Sequence, residues 1–142
     1  MRIRGVRVGW LVAGFLLGAA CVPRISGPGL SYRIKPNQVT DSGLALARTC
    51  LTRESLPVVR DSDRIILNLV PGASFDFDGR ISQNPDLPAM GMYLRYNIWV
   101  AEKYADLPRL WGHEYLHAIG GLSGWSPGTH HPAFARCNLL VI

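Results

Sequence analysis

Apolar positions along the chain fall into seven separated groups. The first is a continuous run from Val8 to Ala20, preceded by Arg2, Arg4 and Arg7 and closed by the small residues Gly18-Ala19-Ala20. The second has helical spacing: Leu44, Leu46, Ala47, Cys50 and Leu51 share a side, with Thr40 or Asp41 as the cap and the end near Arg53. Ile65-Ile66-Leu67 with Leu69-Val70, bounded by Asp63 and Pro71-Gly72, has strand length. Phe75-Asp76-Phe77-Asp78-Gly79 alternates and then turns, as a half-buried strand does. Met92 to Ala101 is rich in the aromatic and β-branched residues that favour strands. A helix is expected from near Asp106 to Gly120-Gly121, with Asp106 capping, Pro108 in the first turn and a glycine stop. Its apolar surface comes from Leu107, Leu110, Trp111 and Leu116. The apolar end, Leu139 to Ile142, either tucks into the core or adds a short strand. The pattern predicts an α+β fold, a small, mostly antiparallel sheet packed on two helices, within one domain spanning 40–142.

The N-terminal group changes the organisation. Basic start, 13-residue apolar run and small-residue end form the three-part pattern of a secretory signal peptide over 1–20, and a membrane span needs about 20 apolar residues. Leu17-Gly18-Ala19-Ala20-Cys21 resembles the lipobox of bacterial lipoproteins, with Gly18 where leucine is usual. That resemblance implies a lipid on Cys21 and a place at the cell envelope; ordinary cleavage would give a secreted protein. Residues 21–39, rich in Pro, Gly and Ser, read as a tether or irregular lead-in.

Charge changes the picture little. The formal net charge is +5, but three arginines sit in the leader, leaving 12 Lys+Arg against 10 Asp+Glu. No basic stripe suited to nucleic acid remains, and nothing in the sequence sets the oligomeric state. Without Cys21, Cys50 and Cys137 form an even pair in an oxidising compartment, so a disulfide is expected; free thiols, or Cys137 as a metal ligand, are the other readings.

The candidate chemistry lies on the second helix. Trp111-Gly112-His113-Glu114-Tyr115-Leu116-His117 contains His-Glu-x-x-His. Residues four apart stack on one helical face, so His113 and His117 can share one ion. Glu114 is turned about 100° from His113, beside such an ion and outside the ligand pair, where a carboxylate can take a proton from activated water. Four histidines and three glutamates would generate this spacing by chance in roughly two shuffled chains per thousand. Trp111 and Tyr115 read as packing residues, and Trp125 as a residue at the site's mouth or over a core edge.

From Met92 to Cys137 the chain resembles the zincin metallopeptidases. The resemblance implies one catalytic zinc, Glu114 as general base and an edge strand, placed at Tyr93 to Ala101, that aligns a peptide or protein substrate. A catalytic zinc takes three protein ligands. No Asp or Glu follows Glu114, Ser123 stands where the metzincin pattern has its third histidine, and Met92 is the last methionine, so those branches do not fit. The third ligand is then expected to be His131, anchored by Pro132, with His130 as the alternative and as an oxyanion donor if unused. The segment His131-Pro132-Ala133-Phe134-Ala135-Arg136-Cys137 after the motif is similar to small bacterial zincin-like proteins. The resulting expectation is an exported, lipid-anchored zinc metallopeptidase. The other readings are a zinc-stabilised, non-catalytic envelope protein and a degenerate membrane-tethered interaction module.

Overall fold

The computed structural model describes residue 28 and residues 30–75, 89–122 and 130–140. The expected leader 1–20, Cys21, most of the tether, Asp76 to Gly79, Trp125 and Val141-Ile142 lie outside the described residues. The fold is α+β, with a four-stranded sheet and three α-helices among the described residues. In chain order these are β1 (Tyr32–Ile34), α1 (Gln38–Arg53), β2 (Ile66–Val70), β3 (Gly91–Leu94), β4 (Asn97–Ala101), α2 (Pro108–Gly120) and α3 (Pro132–Arg136). The sheet order is β1-β2-β4-β3; β1–β2 and β3–β4 are antiparallel, and β2–β4 is parallel. The mostly antiparallel sheet packed on α1 and α2 is thus as expected, with the short α3 added.

Strand periodicity divides the interior. Leu67, Leu69, Ile98 and Val100 enter the main core with the helices, whereas Val70, Trp99 and Ala101 join Phe75 in a second cluster. Successive side chains of a strand point to opposite faces, so β2 and β4 contribute to both. The segment expected as one strand from Met92 is instead a hairpin. Arg95 adopts φ 57, and Leu94 pairs with Asn97 across the two-residue turn Arg95-Tyr96. That turn lacks the Asn-Gly or Gly-Gly signature that marks tight hairpins in sequence. As a result β4 is an inner strand, and β3 is the outer strand of the described sheet.

Both long helices start differently from the expectation. For α1 the cap is Asn37, whose side chain accepts from Val39 N and Thr40 N, while the buried Thr40 hydroxyl accepts from Asn37 N. This reciprocal capping box satisfies first-turn donors that Thr40 or Asp41 was expected to serve. The buried face comprises Thr40, Gly43, Ala47, Cys50 and Leu51; Leu46, expected inside, is exposed. α2 begins after Leu107 with no side-chain cap, so Asp106 does not cap it, and Leu107 is exposed. Pro108 provides the first helical residue and Gly121, at φ 62, the left-handed stop.

α1 and α2 cross where both carry glycine. A Cβ on Gly43 would lie 2.5 Å from Trp111 Cβ and 3.0 Å from Gly112 N. Only hydrogen at that position lets the backbones approach so closely. Pressed between α1, the sheet and the C-terminal segment, α2 is buried at every residue from Leu110 to Gly120. A helix buried on all sides ordinarily carries apolar residues throughout. His113, Glu114 and His117 depart from that rule, and they are three of the five buried polar side chains described.

Candidate metal centre

α2 sets His113 and His117 one turn apart on the same ridge, with their Nε2 atoms 3.2 Å from each other. His130, just before α3, completes the group: the ligand atoms of His113, His117 and His130 all lie within 4.8 Å of one another. Its ring centroid is 4.9 Å from that of His113 and 5.4 Å from that of His117. Phe134 of α3 packs against all three imidazoles, at centroid distances of 4.6 to 5.2 Å. The three histidines could hold a metal ion.

His131, the expected third ligand, is not in this group. It caps α3, and its Nδ1 accepts a hydrogen bond from Ala133 N at 3.1 Å. The constraint imposed by Pro132 is real, but it fixes His131 as a helix start and turns the preceding residue toward α2. Of the two candidates, His130 is the one that groups with His113 and His117.

Backbone carbonyls decide the protonation of the first pair. His113 Nδ1 lies 2.7 Å from Leu139 O, and His117 Nδ1 lies 2.5 Å from Leu122 O. A carbonyl can only accept, so each Nδ1 carries the proton and each Nε2 presents its lone pair. Burial also disfavours a second proton. Desolvation, followed by the repulsion of His117, lowers the His113 pKa to about 3, against the opposing effect of the Leu139 hydrogen bond. Desolvation lowers that of His117 to about 4 and pulls His130 down as well. With both Nδ1 atoms protonated, two Nε2 lone pairs lie within 3.2 Å of each other, a repulsion that a cation held by neutral imidazoles would relieve.

Glu114 is buried, and desolvation raises its pKa to about 8. Its carboxylate lies against β3 at Gly91, where an added Cβ would come within 2.5 Å of Oε1. Two residues along the same strand, Tyr93 stacks on His117 with centroids 5.3 Å apart and planes 6° from parallel. β3 therefore borders both His117 and Glu114. Trp111 and Tyr115 are buried packing residues, as expected; Trp111 Nε1 donates to Ala105 O at 2.8 Å.

The C-terminal segment is tied back to α1. Cys50 and Cys137 form a disulfide across a separation of 87 residues, which removes Cys137 from any ligand set. Arg136 pairs with Glu54 beside it, and Arg53 donates to the Arg136 carbonyl.

Several contributors were invisible to residue patterns. Leu122 O and Leu139 O are backbone groups without a sequence signature, and Gly91 has meaning only once β3 lies on Glu114. Phe134 stood in the His131-Pro132-Ala133-Phe134 segment, though nothing there marked it as packing on all three imidazoles. No protein-family model, no curated protein and no solved structure matches the chain.

Proposed function

We propose that this protein is a zinc-dependent metallopeptidase of zincin-like type, holding one zinc ion through His113, His117 and His130 and using Glu114 as general base. The observation that carries the reading is the convergence of three neutral imidazoles, with the buried Glu114, next to His113 on the same helix, outside the grouped ligands. Three histidine ligands match a catalytic zinc, which keeps its fourth position for water or substrate, whereas structural sites close all four positions with protein ligands. When bound, zinc supplies Lewis-acid polarisation of the scissile carbonyl and eases deprotonation of water.

The chain's own residues supply the rest. Leu139 O and Leu122 O orient the His113 and His117 rings and keep their Nε2 lone pairs inward. A cation held by the three imidazoles would oppose the desolvation that keeps Glu114 protonated, and Glu114 would then release its proton nearer neutral pH. It accepts a proton from the attacking water and returns it to the leaving amine. β3, bordering both Glu114 and His117, suits the alignment of an extended peptide. Export and a lipid on Cys21 belong to the same proposal, resting on the leader pattern of residues 1–21.

The burial of Glu114 favours a second reading, in which the ion only stabilises the fold. Glu114→Gln separates the two. It keeps the side-chain shape and should leave one zinc per chain by metal analysis while peptide hydrolysis falls at least ~100-fold, the lower range for loss of a general base. Unchanged hydrolysis in this variant would exclude Glu114 as the base, and a wild-type chain that takes up zinc but cleaves no peptide would favour the structural ion.

A further inference from the structure

Arg109, His113 and His117 follow one another at four-residue intervals, and so share one ridge of α2. The guanidinium of Arg109 reaches the turn after α3. Its Nε donates to Asn138 O at 2.9 Å, and the same terminal nitrogen donates to Asn138 Oδ1 at 2.9 Å and Leu140 O at 3.3 Å. Between those two carbonyls is Leu139 O, the acceptor of His113 Nδ1. The turn has its own geometry: Asn138 is left-handed at φ 56, Asn138 N donates to Ala135 O and Leu139 N donates to Phe134 O. These are the two bonds of a Schellman helix end, with Asn in the place usually held by Gly.

We propose that Arg109 is a positioning residue of the metal centre: it brackets residues 138 and 140 so that the Leu139 carbonyl holds His113 with Nδ1 protonated and Nε2 turned to the ion. A Schellman turn following a five-residue helix has little regular structure to hold it in place. Asn138 is exposed, and its carbonyl would otherwise exchange with water. The planar guanidinium ties three acceptors at once from the exposed first turn of a helix that is buried from Leu110 onward, a geometry that an ammonium cannot reproduce. The link to the ion is indirect, through one carbonyl and one imidazole. His117 has a separate support in Leu122 O and is the internal control.

The metal part of this inference rests on the function proposed above; the tautomer part does not. In the metal-free full chain, long-range 1H–15N correlations of the histidine rings report which nitrogen carries the proton. Wild type should show His113 as the Nδ1–H tautomer. Arg109→Met, which keeps the aliphatic stem, should move part of the His113 population to Nε2–H and leave His117 unchanged. With Co2+ alone as probe, its dissociation constant should rise roughly tenfold, the lower end for loss of an outer-shell partner. Arg109→Lys should fall between the two, and it carries the measurement if the methionine variant does not fold. An unchanged His113 spectrum, or an equal change at His117, overturns the proposal. A shifted tautomer with unaltered Co2+ affinity removes Arg109 from the metal centre. If no form takes up Co2+, the metal reading falls while the tautomer result still decides what Arg109 does.

Discussion

At the scale of single residues, the centre assigns different tasks to adjacent histidines. His130 joins His113 and His117, while His131 uses Nδ1 to cap α3. Substitution should separate them. His130→Ala removes one of the three proposed ligands, so zinc affinity should drop by at least ~100-fold, with little change in metal-free stability, as a half-buried side chain is lost. His131→Ala should leave zinc binding within a few-fold and lower stability by about 1 kcal/mol, the usual effect of losing a cap. Competition against a chromophoric chelator, together with urea denaturation of the metal-free chain, checks both. Loss of zinc in His131→Ala and its retention in His130→Ala would reverse the assignment.

At the scale of elements, the C-terminal segment is the one that the site depends on and that regular structure supports least. It delivers His130, Phe134 and Leu139 O to α2 through a helix of five residues. The Cys50–Cys137 disulfide attaches the end of α3 to α1, the helix that crosses α2. Cross-linking over 87 residues removes chain entropy from the unfolded state, with an upper figure of roughly 4–5 kcal/mol. Reduction should therefore lower stability by about 2–5 kcal/mol, measured by denaturation with and without a dithiol. It should also weaken zinc binding, because the tie beside His130 is lost while α2 keeps its own packing. Equal zinc affinity in the oxidised and reduced chains would show that the remaining contacts of residues 130–140 are sufficient.

At the scale of the molecule, the buried ionisable groups give the metal-free protein a pH-dependent stability. His113 and His117, with pKa values lowered to about 3 and about 4 from 6.5, bind fewer protons folded than unfolded in mild acid. Their contribution is complete above pH 6.5 and is lost as pH falls from there through the folded values. Glu114, raised to about 8 from 4.5, does the reverse: it keeps its proton when folded, and stability declines as pH rises from 4.5 toward 8. Between 4.5 and 6.5 the two histidines outweigh the single glutamate. The metal-free chain should thus be most stable near pH 6.5 and weaken on both sides, as denaturation across pH 4–9 would show. Added zinc should raise stability with the logarithm of its free concentration, by about 4 kcal/mol at a thousandfold excess over its dissociation constant. It should also flatten the alkaline decline, since a nearby cation favours the Glu114 carboxylate. A decline on the alkaline side that zinc leaves unaltered would mean that Glu114 does not sense the ion.

The sequence by itself determined the two long helices, the strand at Ile66–Val70, the α+β class and the histidine pair with its glutamate. These are local: helical spacing places His113 and His117 on one ridge whatever surrounds them, and cysteine parity pointed to the bond between Cys50 and Cys137. Tertiary structure decided the rest. Whether His130 or His131 meets α2 depends on how a proline-led turn is seated against a distant helix, and residue order does not contain that rotation. The division of Met92 to Ala101 into β3 and β4 followed from a positive φ at Arg95, a residue type that seldom announces one. The carbonyls of Leu122 and Leu139 have no side-chain identity to read. They matter because the folded backbone aims them at two imidazoles, and through the placement of one proton on each ring they turn a spacing pattern into a site that could hold a metal ion.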